Sequence, residues 1–192
     1  ILPIKEDYPV HPVTPYGVSK AAAELLCHQY VTAKNLPVIC VRAFNQIGPR
    51  QDSKFVCANF ARQIAEIEAG IREPLMQVGN LVAKRDIMDV RDSVRAYQVV
   101  MEHGLPGEVY NVCSGRSYSI HSILNMLLKM SVVKIEIKVD ESRIRPMDIP
   151  DLIGDNSRIT SLGWEKRIPI EKSLEDTLNY WRMAIEKREN CD

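Results

Sequence analysis

One short run restricts this chain more than any other feature. Residues 37–42 read Pro-Val-Ile-Cys-Val-Arg, with apolar side chains at nearly every position. A strand that is apolar at every position, rather than at alternate ones, expects cover on both faces, as strands of a parallel sheet have. Parallel neighbours need long crossovers, and the chain supplies helical spacing on either side. Val56, Phe60, Ile64 and Ile67 form one stripe; Ile120, Ile123, Leu124, Leu127 and Leu128 form another; Leu174, Leu178, Trp181 and Ile185 form a third. Each is the buried side of an amphipathic helix, a core stripe rather than a cofactor surface. Short runs at 75–78, 86–89 and 108–113 read as further strands. Helices alternating with strands define an α/β chain.

Local signals place the boundaries. Residues 1–15, with Pro3, Pro9, Pro12 and Pro15, read as an irregular entry. Thr14-Pro15 opens a helix over residues 16–34, and Ala21-Ala22-Ala23-Glu24 continues it. Residues 43–52 form a loop rich in Asn, Gly and Pro. Ser53 is the expected cap of a helix running to Gly70, and Ser119 caps the helix that begins at Ile120. A helix over 91–103 stops at Gly104. Residues 134–139 alternate charged and apolar side chains, the pattern of a half-exposed edge strand. A polar loop over 140–155 carries Arg143, Arg145 and Asp148, a short helix covers 157–162, and Pro169 starts the last helix.

Composition narrows the function. The 25 basic residues balance the 25 acidic ones, and 45% of the chain is hydrophobic. That balance suits a soluble cytosolic protein and argues against a general nucleic-acid binder, which carries a basic excess. No apolar run approaches the length of a membrane span. Cys27, Cys40, Cys57, Cys113 and Cys191 are odd in number and scattered, as reduced thiols are. His11, His28, His103 and His121 do not cluster with other ligand types, so no metal is expected.

The chemistry begins at Tyr16-Gly17-Val18-Ser19-Lys20. A tyrosine and a lysine four apart share a helix face. A free phenol titrates near pH ~10, and a neighbouring ammonium lowers that value toward acid–base use. The pair is therefore a candidate for oxidation and reduction at a sugar or alcohol carbon. Gly17 and Ser19 keep that face small enough for a flat ligand. The same spacing recurs at Tyr30 and Lys34, at the tail of the helix, where a solvated helix end is the simpler reading.

Several segments in order resemble one family. Residues 12–20 (Pro-Val-Thr-Pro-Tyr-Gly-Val-Ser-Lys) are similar to the catalytic segment of extended short-chain dehydrogenases/reductases acting on nucleotide sugars. Residues 42–51 resemble the loop after the next strand in that group. Residues 79–86 and 89–92, then 145–150, 154–157 and 162–164, resemble the branch of GDP-mannose 4,6-dehydratases and GDP-6-deoxy-4-keto-mannose reductases. The resemblance covers almost the whole chain. It implies a Rossmann-type NAD(P)-binding fold of which this is the C-terminal part, plus a smaller mixed α/β lobe for substrate. The family's Gly-rich pyrophosphate loop has no counterpart among the dispersed glycines here. Residues 1–42 and 86–113 then belong to the remainder of the cofactor domain, and 43–85 and 114–192 to the substrate lobe.

The resemblance also implies roles. Tyr16 exchanges the proton at the sugar C4 oxygen, and Lys20 tunes it and holds the nicotinamide ribose. Phe44, Asn45 and Ile47 lie beside the nicotinamide and the sugar phosphates, Asn45 donating to phosphate unless it makes a turn bond to its own backbone. Arg50 reaches a phosphate or faces water. Arg85 and Arg145 clamp the diphosphate of a GDP-sugar. Asp148 accepts from a ribose hydroxyl or pairs with an arginine. Arg143, Lys84 and Arg91 read as solvated or structural. The cofactor is NADP or NAD. Ile47-Gly48-Pro49 and Asp89-Val90-Arg91-Asp92 resemble the reductase more than the dehydratase, although Gln46 stands where both often carry histidine. The dehydratase remains the alternative, and a non-catalytic sugar-nucleotide-binding module is a further one. Family members pair through the catalytic helix, so a homodimer through Leu25, Leu26 and Tyr30 is expected of the complete enzyme.

Overall fold

The computed structural model describes residues 1–143 and 149–189. Helix α1 covers Pro15–Lys34. The Thr14 hydroxyl accepts from the Gly17 N–H at its start, and Asn35 closes it in the left-handed conformation. Strand β1 (Cys40–Ala43) follows, then β2 (Asn45–Ile47), α2 (Val56–Glu68), β3 (Leu75–Val78) and β4 (Lys84–Asp89). Next come α3 (Val90–His103), β5 (Val109–Val112), β6 (Ser117–Ser119), α4 (Ile120–Met130) and β7 (Glu136–Val139). A 3₁₀ turn at Glu141–Arg143, β8 (Asp151–Leu152), α5 (Ser157–Ser161) and α6 (Ile170–Glu189) complete the described order.

The strands form three groups. β1 runs parallel to β5, with Cys40 opposite Val109. β4 is the central strand of the second group: its first half pairs antiparallel with β6 and parallel with β8, its second half parallel with β2. β3 runs parallel to β7. The α/β class is as the sequence reads.

Two packed clusters lie behind these strands. The larger joins α2, α4 and α6 through Phe60, Ile64, Ile123, Leu124, Leu127, Leu174 and Leu178, which the stripes anticipate. The smaller gathers Met88, Ala96, Val100, Tyr110, Val112, Ile159 and Trp164, so α5 packs with α3 and β5. β4 feeds both, Ile87 into the first and its neighbour Met88 into the second.

β1 alternates half-buried and exposed residues, with β5 its one recorded strand neighbour among the described residues. Two expectations are corrected. Ser53 does not cap α2: Phe55 stands at the cap without a side-chain bond, and the Ser53 hydroxyl instead accepts from the Arg62 guanidinium. The loop over 43–52 contains strand β2, whose register is supplied by β4 rather than by local pattern. Ser119 does cap α4, accepting from the Ser122 N–H at 3.0 Å.

Candidate active site

Tyr16 and Lys20 sit in the first turns of α1, an entry angle fixed by the Thr14 cap and by proline at the first helical position. The Lys20 ammonium lies 5.5 Å from the centre of the Tyr16 ring. The phenol is 72% exposed, so a ligand can reach it. Helix α1 is fastened to the sheet one turn further on. Arg42 on β1 donates to both carboxylate oxygens of Glu24 at 2.9 and 2.6 Å, and to the Glu6 carbonyl at 2.9 Å. The Arg42 bond holds the Glu24 carboxyl below the ordinary carboxylate range. β1 thus connects the tyrosine helix to Phe44 and Asn45, which follow it directly in the chain.

A second group assembles on β4. The Asp86 side chain is fully buried and collects the Ser114 N–H (2.8 Å), the Ser114 hydroxyl (2.7 Å), the Gly115 N–H (3.1 Å) and the Gly154 N–H (3.2 Å). Burial pushes its carboxyl up, and the Ser114, Gly154 and Gly115 donors pull part of that back. The Asn45 amide donates to the Asp86 carbonyl at 3.4 Å. The Phe44 ring closes on Gly154 so tightly that a Cβ there would lie 2.7 Å from Phe44 Cζ and 2.6 Å from Cys113 Sγ; only glycine fits. Arg85, the preceding residue, donates to the Ile149 carbonyl at 2.6 Å and to the Lys84 carbonyl at 2.7 Å.

Other sequence-selected residues fall differently. Ile47 is 1% exposed, a member of the larger core cluster, so its side chain is packing and any ligand contact there falls to backbone. Asn45 is exposed, and its amide bonds across to β4 rather than to its own backbone. Arg50 is exposed and held at φ 70°. Gln46 donates to the Tyr97 hydroxyl on α3 at 2.6 Å. Arg91 is structural: it bridges Asp89, which caps α3, to Asp176 on α6. Burial alone would raise the Asp89 carboxyl, but the bonds from Arg91 and Ser173 hold it below its usual value. Arg145 and Asp148 lie outside the described residues.

The sequence reading passed over Asp86, Ser114 and Gly154. The available signal was an acid directly before the apolar pair Ile87-Met88, whose burial calls for several donors. Among the described residues no group of three or more His, Cys, Asp and Glu side chains is arranged for a metal, and no helix is long and apolar enough to cross a membrane.

A parallel α/β fold with an exposed Tyr–Lys pair at the head of a helix that feeds a sheet strand defines the class of extended short-chain dehydrogenases/reductases. Within that class, the family model described as GDP-mannose 4,6 dehydratase matches residues 2–177, and the chain belongs to that family. It is 38% identical to GDP-6-deoxy-D-mannose reductase of Pseudomonas aeruginosa, over 96% of this chain and 61% of that protein. It is 29% identical to GDP-mannose 4,6 dehydratase 1 of Arabidopsis thaliana, over 88% of this chain and 47% of that one. Among solved structures, that of RMD from Pseudomonas aeruginosa complexed with NADPH superposes with a TM-score of 0.91 at 38% identity, covering 95% of this chain and 61% of the other. The chain therefore spans roughly half to three-fifths of the length of these relatives.

Proposed function

We propose that this chain carries the proton-transfer pair and the substrate lobe of an NAD(P)-dependent nucleotide-sugar reductase. The favoured reaction is reduction of the C4 keto group of GDP-4-keto-6-deoxymannose to GDP-D-rhamnose. The carrying observation is the exposed Tyr16 phenol with the Lys20 ammonium over its ring. The 38% identity to a GDP-6-deoxy-D-mannose reductase supports that choice within the family.

The residues present fit the nicotinamide end of such a cofactor: an exposed phenol, an adjacent ammonium and the Phe44–Asn45 corner, joined through β1. They include no Gly-rich loop for its pyrophosphate. When bound, the reduced nicotinamide supplies hydride. Tyr16 donates the phenolic proton to the C4 oxygen as the carbon is reduced, and Lys20 stabilises the phenolate left behind. Arg85 and Asn45 are assigned to the diphosphate, a role the family resemblance also gives to Arg145, with Asp148 assigned to a ribose hydroxyl. One Arg85 nitrogen donates to both the Ile149 and Lys84 carbonyls, which orients the guanidinium toward the proposed diphosphate position. Arg50 is the outermost candidate. Residues 1–42 and 86–113 serve the cofactor side, and 43–85 and 114–192 the substrate side. The exposed Leu25, Leu26 and Tyr30 of α1 are the homodimer contact of the complete enzyme.

The test is steady-state turnover of the full-length protein with GDP-4-keto-6-deoxymannose and either reduced nicotinamide cofactor. Stoichiometric cofactor oxidation with GDP-rhamnose formed is the expected result. The second reading, GDP-mannose 4,6-dehydratase, is favoured by the description of the matching family model. Consumption of GDP-mannose without net cofactor turnover would establish it instead.

A further inference from the structure

Three acids of β4 and the start of α3 are buried within seven residues, and they are not equivalent. Asp89 is paired with Arg91 and caps α3. Asp92 is paired with Arg95 and holds the Arg167 and Ile168 N–H groups, fixing the approach to α6. Both sit against a guanidinium and both anchor helices. Asp86 is different: its recorded side-chain donors are a hydroxyl and three backbone N–H groups, all neutral and all from loops.

Those loops border the proposed site. Ser114 and Gly115 follow β5, and Gly154 follows β8. The segment from Ile149 to Gly154 is laid along β4: Arg85 grips its Ile149 carbonyl, the Lys84 N–H reaches the Pro150 carbonyl at 2.8 Å, and Asp86 takes the Gly154 N–H. Consecutive residues of one strand thus secure both ends of one segment. The Asp86 carbonyl also receives Asn45, and Gly154 backs the Phe44 ring.

We infer that Asp86 is a positioning residue of this site. Its carboxylate ties the Ser114–Gly115 loop and the 149–154 segment to β4, and so fixes how Arg85 and Asn45 meet the sugar nucleotide. The inference rests on the functional reading above. A stabilising role alone is a poor account, because burying a carboxylate without a cation opposes its ionised form.

Asp86→Asn and Ser114→Ala in the full-length protein separate the two accounts. An asparagine turns its NH₂ onto N–H donors whichever way it is placed. Ser114→Ala removes the hydroxyl's bond to Asp86, together with its two bonds to the Arg116 backbone, and leaves the carboxylate in position. For Asp86→Asn the expected result is a KM for GDP-4-keto-6-deoxymannose raised about tenfold, as for a lost bond to a charged group, with NADPH affinity unchanged within about twofold. Ser114→Ala should raise the same KM roughly threefold at an unaltered unfolding midpoint. A lowered unfolding midpoint with unchanged KM in either variant overturns the inference. If Asp86→Asn fails to fold, an unchanged KM in Ser114→Ala overturns it. A wild-type protein that neither binds the sugar nucleotide nor oxidises NADPH removes the functional reading itself, and the inference with it; a competent wild type with indifferent variants removes the inference alone.

Discussion

Helices α1 and α6 are both 20 residues long, yet they lead opposite lives. α6 presses Leu174 and Leu178, both fully buried, between α2 and α4. α1 has no buried residue; Leu25 and Leu26 stand 71% and 56% exposed. α6 is held by the hydrophobic effect over a continuous seam. α1 is held by the Glu24–Arg42 pair, and an open cleft of about 150 Å³, lined by Leu25, Cys27, His28 and Val31 on one side and Val38, Cys40 and Val109 on the other, separates it from the strands. Length and helical propensity do not distinguish them. What distinguishes them is where the apolar residues go: α6 spends its stripe on the core, while α1 keeps small residues and its Tyr–Lys pair on a face open to a ligand.

The contrast breaks most sharply at Tyr16. Tyr16→Phe in the full-length protein should lower kcat by about 10²–10⁴-fold, the usual range for a removed acid–base group, without moving the unfolding midpoint. A kcat within a few-fold of wild type would remove Tyr16 from the chemistry. On the other helix, Leu178→Ala should cost about 3 kcal/mol in denaturant unfolding by leaving a cavity between α6 and α2. A loss below about 1 kcal/mol would mean that the seam is less tightly packed than its burial indicates.

Glu24→Gln tests the fastening of α1. The pair is only about a quarter exposed (25% and 28%), and its loss should cost about 1 kcal/mol near neutral pH. The sign follows from linkage. The Arg42 bond holds the folded-state carboxyl below the ordinary 4.5, so its contribution is present above that value and lost as pH falls through the lowered folded value. The stability gap between wild type and variant should therefore close on acidification, and a gap independent of pH would show that packing rather than charge is involved. The smallest effect belongs to Leu25→Ala, which should change the stability of this 192-residue chain by no more than about 0.5 kcal/mol.

The sequence made α2, α4 and α6 legible through long periodic stripes, and α1 and α3 through their start or stop signals at Thr14-Pro15 and Gly104. Strands β3 and β5 were legible as short apolar runs. β2, β6 and β8 were not: Asn-Gln-Ile, Ser-Tyr-Ser and Asp-Leu carry no period, and they are strands only because β4 offers them a ladder. The site divides the same way. Tyr16 and Lys20 announce themselves by spacing within one helix. Arg85 and Asn45 are proposed only by resemblance. Asp86 was missed because its partners lie 28 to 68 residues away in two separate loops, a convergence that no local pattern encodes. Ile47 turns its side chain into the core, which a loop motif alone does not reveal.

Strand β4 has one more consequence. Arg85 faces the 149 segment, Asp86 gathers the loops, Ile87 enters one core and Met88 the other. A strand repeats every two residues, so a shift by a single position exchanges its faces. Losing or gaining one residue between Lys84 and Asp89 would press a carboxylate into one core and push one core side chain into a polar site, while leaving the composition almost unchanged. This stretch can drift in spelling, but its length is fixed to the residue. Among its relatives, insertions should gather in the loops on either side and stop at its edges.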